Sequence, residues 1–143
     1  MSEQKEMDVL LRNDFCSYVQ RVFYELGNDK FISNWHLEVL CDALERARRG
    51  EIKRLIINVP PRSLKSIVVN VAYSTWLLGQ DPRERIVSVS YSAELADKFA
   101  RDSKIIMESD WYRRIFPRTV ISKNRSTPSD FNTTARGGRY TTS

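Results

Sequence analysis

Nine consecutive residues, Asn58-Val-Pro-Pro-Arg-Ser-Leu-Lys-Ser66, bring together side chains that can hold a phosphate at a place in the chain suited to it. They close the branched, near-continuous apolar run Leu55 to Val59 and open an apolar, helix-like stretch from Lys65 to Leu78. At such a strand-to-helix junction the first free N–H groups and the positive end of the helix dipole face an anion. Lys65 would reach the β- and γ-phosphates of a nucleotide, and the Ser66 hydroxyl would ligate magnesium. The amides of Arg62, Ser63, Leu64, Lys65 and Ser66 are the remaining donors, and the Arg62 guanidinium can pair with phosphate oxygens bidentately.

The segment departs from the usual phosphate-binding loop. Val59 and Leu64 stand where two glycines are customary, and glycine permits close approach and unusual dihedrals. Leu64 can serve only with ordinary dihedrals and its side chain turned away. Pro60 and Pro61 stiffen the loop and lack N–H groups. The alternative reading is a capping serine beside a surface lysine at an ordinary helix start.

The surrounding elements follow from apolar spacing. Leu11, Phe15, Tyr18, Val22 and Leu26 predict one helix from about Met7 to Leu26, stopped by Gly27. Ser33 or Asn34 caps a second helix bearing Leu37, Leu40, Leu44 and Ala47, which ends in Arg46, Arg48, Arg49 and Gly50. Leu55 to Val59 reads as a strand buried on both faces, and Lys65 to Leu78 as a buried helix. Arg85 to Tyr91 alternates as a strand, and Ala93 to Glu108 is helical, with Leu95, Phe99, Asp102 and Ile106 along one stripe. Phe131 to Ala135 and Arg139 to Thr142 are β-prone around Gly137-Gly138, a hairpin turn. Alternating strands and helices predict an α/β fold with a mostly parallel sheet flanked by helices. Two convincing strands are few for such a sheet, so an incomplete one, the front portion only, is expected.

With 143 residues, 41% hydrophobic and 29% charged, the composition is globular rather than disordered. The most apolar stretch, Ile67 to Leu78, is too short for a bilayer, and MSEQKEMD is no secretory signal, so no membrane partner is expected. Cys16 and Cys41 give neither a disulfide framework nor metal-ligand spacing and read as thiols in a reducing compartment. Residues 1–50 carry nine acids and seven bases, whereas residues 51–143 carry nine acids and sixteen bases. From Trp111 onward seven bases accompany a single acid, Asp130. This asymmetry suggests an anionic partner, with a solvated basic face as the alternative.

From Trp35 onward the chain resembles the N-terminal ATPase region of phage terminase large subunits, the motors that package DNA. The resemblance rests on Trp35-His36, on INVPPRSLKS at 57–66, on Trp76-Leu-Leu-Gly79 and on Ser88-Val-Ser-Tyr-Ser92. Glu108-Ser-Asp-Trp-Tyr112, Phe116-Pro117 and Thr133-Thr-Ala-Arg-Gly137 extend it. PPR-x-x-K-S matches a glycine-poor Walker A variant of that family. The chain is thus expected to divide into an N-terminal helical segment over 1–33, read from its apolar spacing, and a partial P-loop ATPase domain over 34–143, which the resemblance implies. It implies ATP and Mg2+ as cofactors, double-stranded DNA, a portal and a small terminase subunit as partners, homo-oligomerisation, and a place in the host bacterial cytoplasm. Arg62 would sense the γ-phosphate, Trp35 and His36 would approach the adenine, and Ser90, Tyr91 and Ser92 would form a coupling motif. Each of the last five has a plainer reading: a core aromatic, a partly buried histidine, and a strand end capping the next helix.

No apolar strand ending in paired acids follows Arg85, so the magnesium-holding and water-orienting carboxylates of an ATPase are not expected in this chain. No catalytic residue is assigned, and efficient hydrolysis by these 143 residues is not expected. A truncated or split product would also leave a sheet edge free to associate. Two alternatives stand beside the motor reading. One is a non-enzymatic nucleic-acid-binding fragment carried by Arg113, Arg114, Arg118, Lys123, Arg125, Arg136 and Arg139. The other is an inert prophage remnant.

Overall fold

The apolar stripe from Leu11 to Val22 is carried by two helices, not one. In the computed structural model, which describes residues 2–27, 31, 34–61, 64–127 and 129–143, α1 (Glu3–Asn13) ends where Asp14 turns extended and α2 (Phe15–Glu25) begins. The Asp14 carboxylate accepts the Ser17 amide at 2.9 Å, and Glu45 of α3 (Trp35–Arg48) accepts the Phe15 amide at 3.0 Å. Two of the free donors at the start of α2 are thereby satisfied. The periodicity survives the break, because Leu11, Phe15, Tyr18 and Val22 are all buried.

The helix expected from Lys65 forms, with an irregular middle. α4 (Lys65–Ile67) runs into a π-helical turn, Val68–Tyr73, and then into α5 (Ser74–Gln80). Ile67, Val68, Val69 and Val71 crowd the preceding turn with branched side chains. The Ser74 hydroxyl donates to the Asn70 carbonyl at 2.7 Å and the Thr75 hydroxyl to the Val71 carbonyl at 2.8 Å. These side chains supply donors to carbonyls of the widened turn.

β1 (Arg85–Val89) is followed by α6 (Ala93–Glu108), α7 (Asp110–Ile115), β2 (Ile121–Ser126), β3 (Phe131–Thr133) and β4 (Gly138–Thr142). The four strands lie in the order β1-β4-β3-β2. β1 and β4 are parallel, with Arg85 opposite Gly138 and Val87 opposite Tyr140, whereas β4–β3 and β3–β2 are antiparallel. β4 enters the sheet against backbone: a Cβ on Gly137 would lie 2.2 Å from the Pro82 carbonyl oxygen and 2.5 Å from that of Glu84. Only glycine passes there.

The core lies on one side of this sheet. Phe15, Tyr18 and Phe23 of α2 meet Val71, Trp76, Phe99, Trp111, Tyr112 and Phe116, all buried. Tyr18 and Thr75 share a hydroxyl–hydroxyl hydrogen bond of 2.7 Å, and the Tyr112 hydroxyl donates to the Thr75 carbonyl at 2.7 Å. Trp76 and Trp111 are buried, whereas Trp35 is 74% exposed. Ser88 on the inner face donates to the Asn70 side chain at 3.0 Å. On the outer face of β1, Val87 and Val89 are each 69% exposed.

These findings correct the expected architecture. The molecule is predominantly helical with a small open sheet of mixed, mostly antiparallel pairing, not a mostly parallel P-loop NTPase-type sheet. Leu55 to Val59 forms no strand; Leu55 and Ile56 are exposed and Ile57 half-buried. A strand apolar on both faces needs a layer on each side, and here helices cover one face only. Gly137-Gly138 is not a two-residue hairpin turn, since Thr134 to Gly137 link β3 to β4, which starts at Gly138. β2 and α7, which show no clear periodicity, were not expected from the sequence. Without a central parallel strand feeding the loop at 58–66, the fold is not that of a P-loop ATPase, and the identification as a terminase motor domain, with its Walker A and P-loop terms, is withdrawn.

Candidate nucleic-acid interface

The residues expected to hold phosphate are only partly gathered. Arg62 and Ser63 lie outside the described residues. Leu64, Lys65 and Ser66 border a cavity of about 360 Å³ whose other walls are Val59, Pro60, Pro61 and Ile67. Leu64 has φ 63°, the left-handed conformation for which glycine is suited, so the condition of ordinary dihedrals fails. Trp35 and His36 stand edge to face at 6.1 Å between ring centroids, and neither lines that cavity. Ser90 continues the ladder by donating its amide to the Thr142 carbonyl, Tyr91 is 97% exposed, and Ser92 caps α6 by accepting the Leu95 amide at 3.2 Å. The plainer reading of Ser92, a cap, is the one its geometry carries.

The basic residues sort into three groups. Arg114 is taken up by Asp8, Nε to Oδ2 at 2.7 Å and Nη2 to Oδ1 at 3.1 Å, and this pair holds the Asp8 carboxyl below its ordinary value. Arg139 is fully buried under the sheet; it donates to the Thr141 hydroxyl and, at 3.3 Å, to the Asn70 carbonyl, while its Nε has no partner. Burial pushes its pKa down to about 10. Arg113, Arg118, Lys123 and Arg136 are exposed, and the side chain of Arg125 is not among those described.

Four cations face two clefts that meet at β2. One cleft, about 390 Å³, lies on the uncovered sheet face and is lined by Arg85, Arg136, Asn124, Asn132 and Tyr140, with Ser122 at its edge. No acid lines it. Among the described residues neither arginine has an ion-pair partner. Asn132 is held by the Tyr140 hydroxyl, which donates to its Oδ1 at 2.8 Å, leaving the amide nitrogen as a donor. The second cleft, about 240 Å³, holds Arg113 and Lys123 beside Glu108, and Ser122 lines it too. Arg136 has φ 71°, a conformation that costs a non-glycine residue about 1 kcal/mol. Its amide donates to the Thr133 carbonyl at 3.1 Å, which fixes the turn that carries the side chain.

Sequence reasoning named Arg113, Lys123 and Arg136 but missed Arg85, Asn124 and Asn132. Strand alternation could have found Arg85, since it shares a face with Val87 and Val89. The amides depend on β2 and β3 pairing, which left no clear sequence pattern. Among the described residues no group of three or more His, Cys, Asp or Glu stands together as a metal site, and no helix is long and apolar enough to cross a membrane. No protein-family model, curated protein or solved structure matches the chain.

Proposed function

We propose that this protein binds double-stranded DNA through the phosphate backbone, without reading sequence, on the open face of its sheet. The observation that carries the reading is the cleft in which, among the described residues, Arg85 and Arg136 stand without an acid or counter-ion beside the side-chain amides of Asn124 and Asn132. Guanidinium and amide donors are the groups that take phosphate oxygens. The left-handed backbone at Arg136 adds weight, because strain of that kind collects at binding sites. The Arg113–Lys123 cleft continues the track across β2. A net charge of +5 favours association with a polyanion at a distance.

The test is fluorescence anisotropy of labelled duplexes of two unrelated sequences over a range of salt. Binding should be equal for the two and fall steeply with salt. Each phosphate contact contributes roughly 0.9 to the slope of log K against log salt, so R85A/R136A should lower that slope by about 2. Parent-like binding and slope in the double variant would remove the cleft from the interface. Binding insensitive to salt would remove the phosphate reading altogether.

A further inference from the structure

The two edges of the sheet are built differently. β2, at one edge, carries Lys123 and Arg125 within the strand and pairs with β3 through an irregular register. Charges and bulges are the ordinary protections of an edge. β1, at the other edge, reads Arg-Ile-Val-Ser-Val and has no charge after Arg85, no proline and no bulge. The Glu84 carbonyl and the Ser90 amide bond to Gly138 and Thr142 of β4. By the alternation of a strand, the even-numbered backbone groups face β4, and those of Arg85, Val87 and Val89 point away from the sheet. Among the described residues no backbone hydrogen bond reaches them beyond β4. The same odd-numbered positions carry the exposed side chains Val87 and Val89, at 69% each, and Tyr91, at 97%.

We infer that a second copy of this chain covers this edge, β1 pairing antiparallel with β1 of the partner about a two-fold axis at Ser88. That register sets Val87 opposite Val89 of the partner subunit and Arg85 opposite Tyr91 of the partner subunit. The hydrogen-bonding pairs at the centre then join the outward-pointing Val87 and Val89, as an antiparallel ladder requires. Valine meets valine at the centre, and a guanidinium meets an aromatic ring at each end. Centring the axis on Val87 instead would set the Arg85 charge against Val89 of the partner subunit, which is the poorer match. The segment is self-complementary, and that is the property an isologous interface needs. A cation–π contact leaves the Arg85 charge intact, so the interface does not depend on the DNA-binding reading and does not compete with it.

Sedimentation equilibrium of the full chain, free of nucleic acid, tests the association. The expected result is a dimer of twice the 16.7 kDa chain mass that dissociates on dilution. V87K/V89K should be monomeric at concentrations where the parent is dimeric, with an unchanged helical circular dichroism spectrum. Monomer for the parent throughout, or a dimer in the lysine variant, would overturn the inference. Cysteine scanning tests the register. An equimolar mixture of V87C and V89C chains should cross-link on mild oxidation, since opposed Cα atoms at such a pair fall within disulfide reach. V87C alone should not exceed the unsubstituted chain, which carries Cys16 and Cys41. Cross-linking of V87C with itself, or none in the mixture, would overturn the two-fold at Ser88.

Discussion

Arg114 and Arg139 are two arginines of the same basic tail in opposite surroundings, the first paired with Asp8 at the surface and the second fully buried. Arg114 is fixed by two hydrogen bonds to Asp8, which ties α7 to α1. The folded chain lowers the Asp8 pKa from its ordinary 3.8. Its contribution is therefore complete above the unfolded value and is lost as pH falls through the lower folded value. D8N should lower stability at neutral pH by about 1 kcal/mol, the upper end for exposed pairs, and should erase that part of the acid sensitivity in urea melts. Among the described residues Arg139 has no carboxylate within salt-bridge distance and one unpartnered nitrogen in full burial. A charge so placed is held against its desolvation by a hydroxyl and a carbonyl. R139M should raise stability by on the order of 1 kcal/mol, measured as a higher urea midpoint; a lower midpoint would mean that the nearby Asp130 compensates the charge.

At the scale of elements, caps and close backbone passages decide what apolar spacing alone does not. D14A removes the acceptor that starts α2 and should cost about 1 kcal/mol in denaturant midpoint. G137A puts a Cβ 2.2 Å from the Pro82 oxygen, so it should cost about 1–3 kcal/mol and loosen the β1–β4 pairing, seen as faster amide exchange at Ser90. The same comparison explains what was legible in the sequence. The helices over 35–48 and 93–108 follow their apolar periods, because one face of each meets the core, whereas the strand at 85–89 forms where its alternation predicts but turns Val87 and Val89 outward and Ser88 inward. The split at Asp14 was missed because the buried stripe continues across it, and the cap is a single residue. Leu55 to Val59 misled for the opposite reason: branched residues promise a strand, yet a ladder needs neighbours that the chain places elsewhere. Of the candidate interface, the excess of arginine and lysine after Trp111 was legible. Which of those bases stay free was not, because Asp8 and the interior claim Arg114 and Arg139 through contacts distant in sequence.

At the scale of the whole molecule, one covered sheet face and one open face organise the rest. The covered face holds the core, and the open face holds the Arg85–Arg136 cleft next to the β1 edge. Joined at β1, two copies would form one eight-stranded sheet with both clefts on the same side. A duplex long enough to engage both should bind more tightly than a short one, and V87K/V89K should abolish that length dependence in the anisotropy assay. The thermal midpoint of the parent should rise with protein concentration, whereas that of the lysine variant should not. The arrangement of the indoles has a further, optical consequence. Trp35 stands in solvent, Trp76 is packed between Phe15 and the Arg48 guanidinium, and Trp111 lies under Arg21 while donating to Glu25. Native emission should therefore be two populations, a red one from Trp35 that acrylamide quenches freely and a blue one from Trp76 and Trp111 that it barely touches. W35F would leave only the shielded pair, turning the intrinsic fluorescence of the chain into a label-free gauge of whether the α2–α5–α7 core is closed.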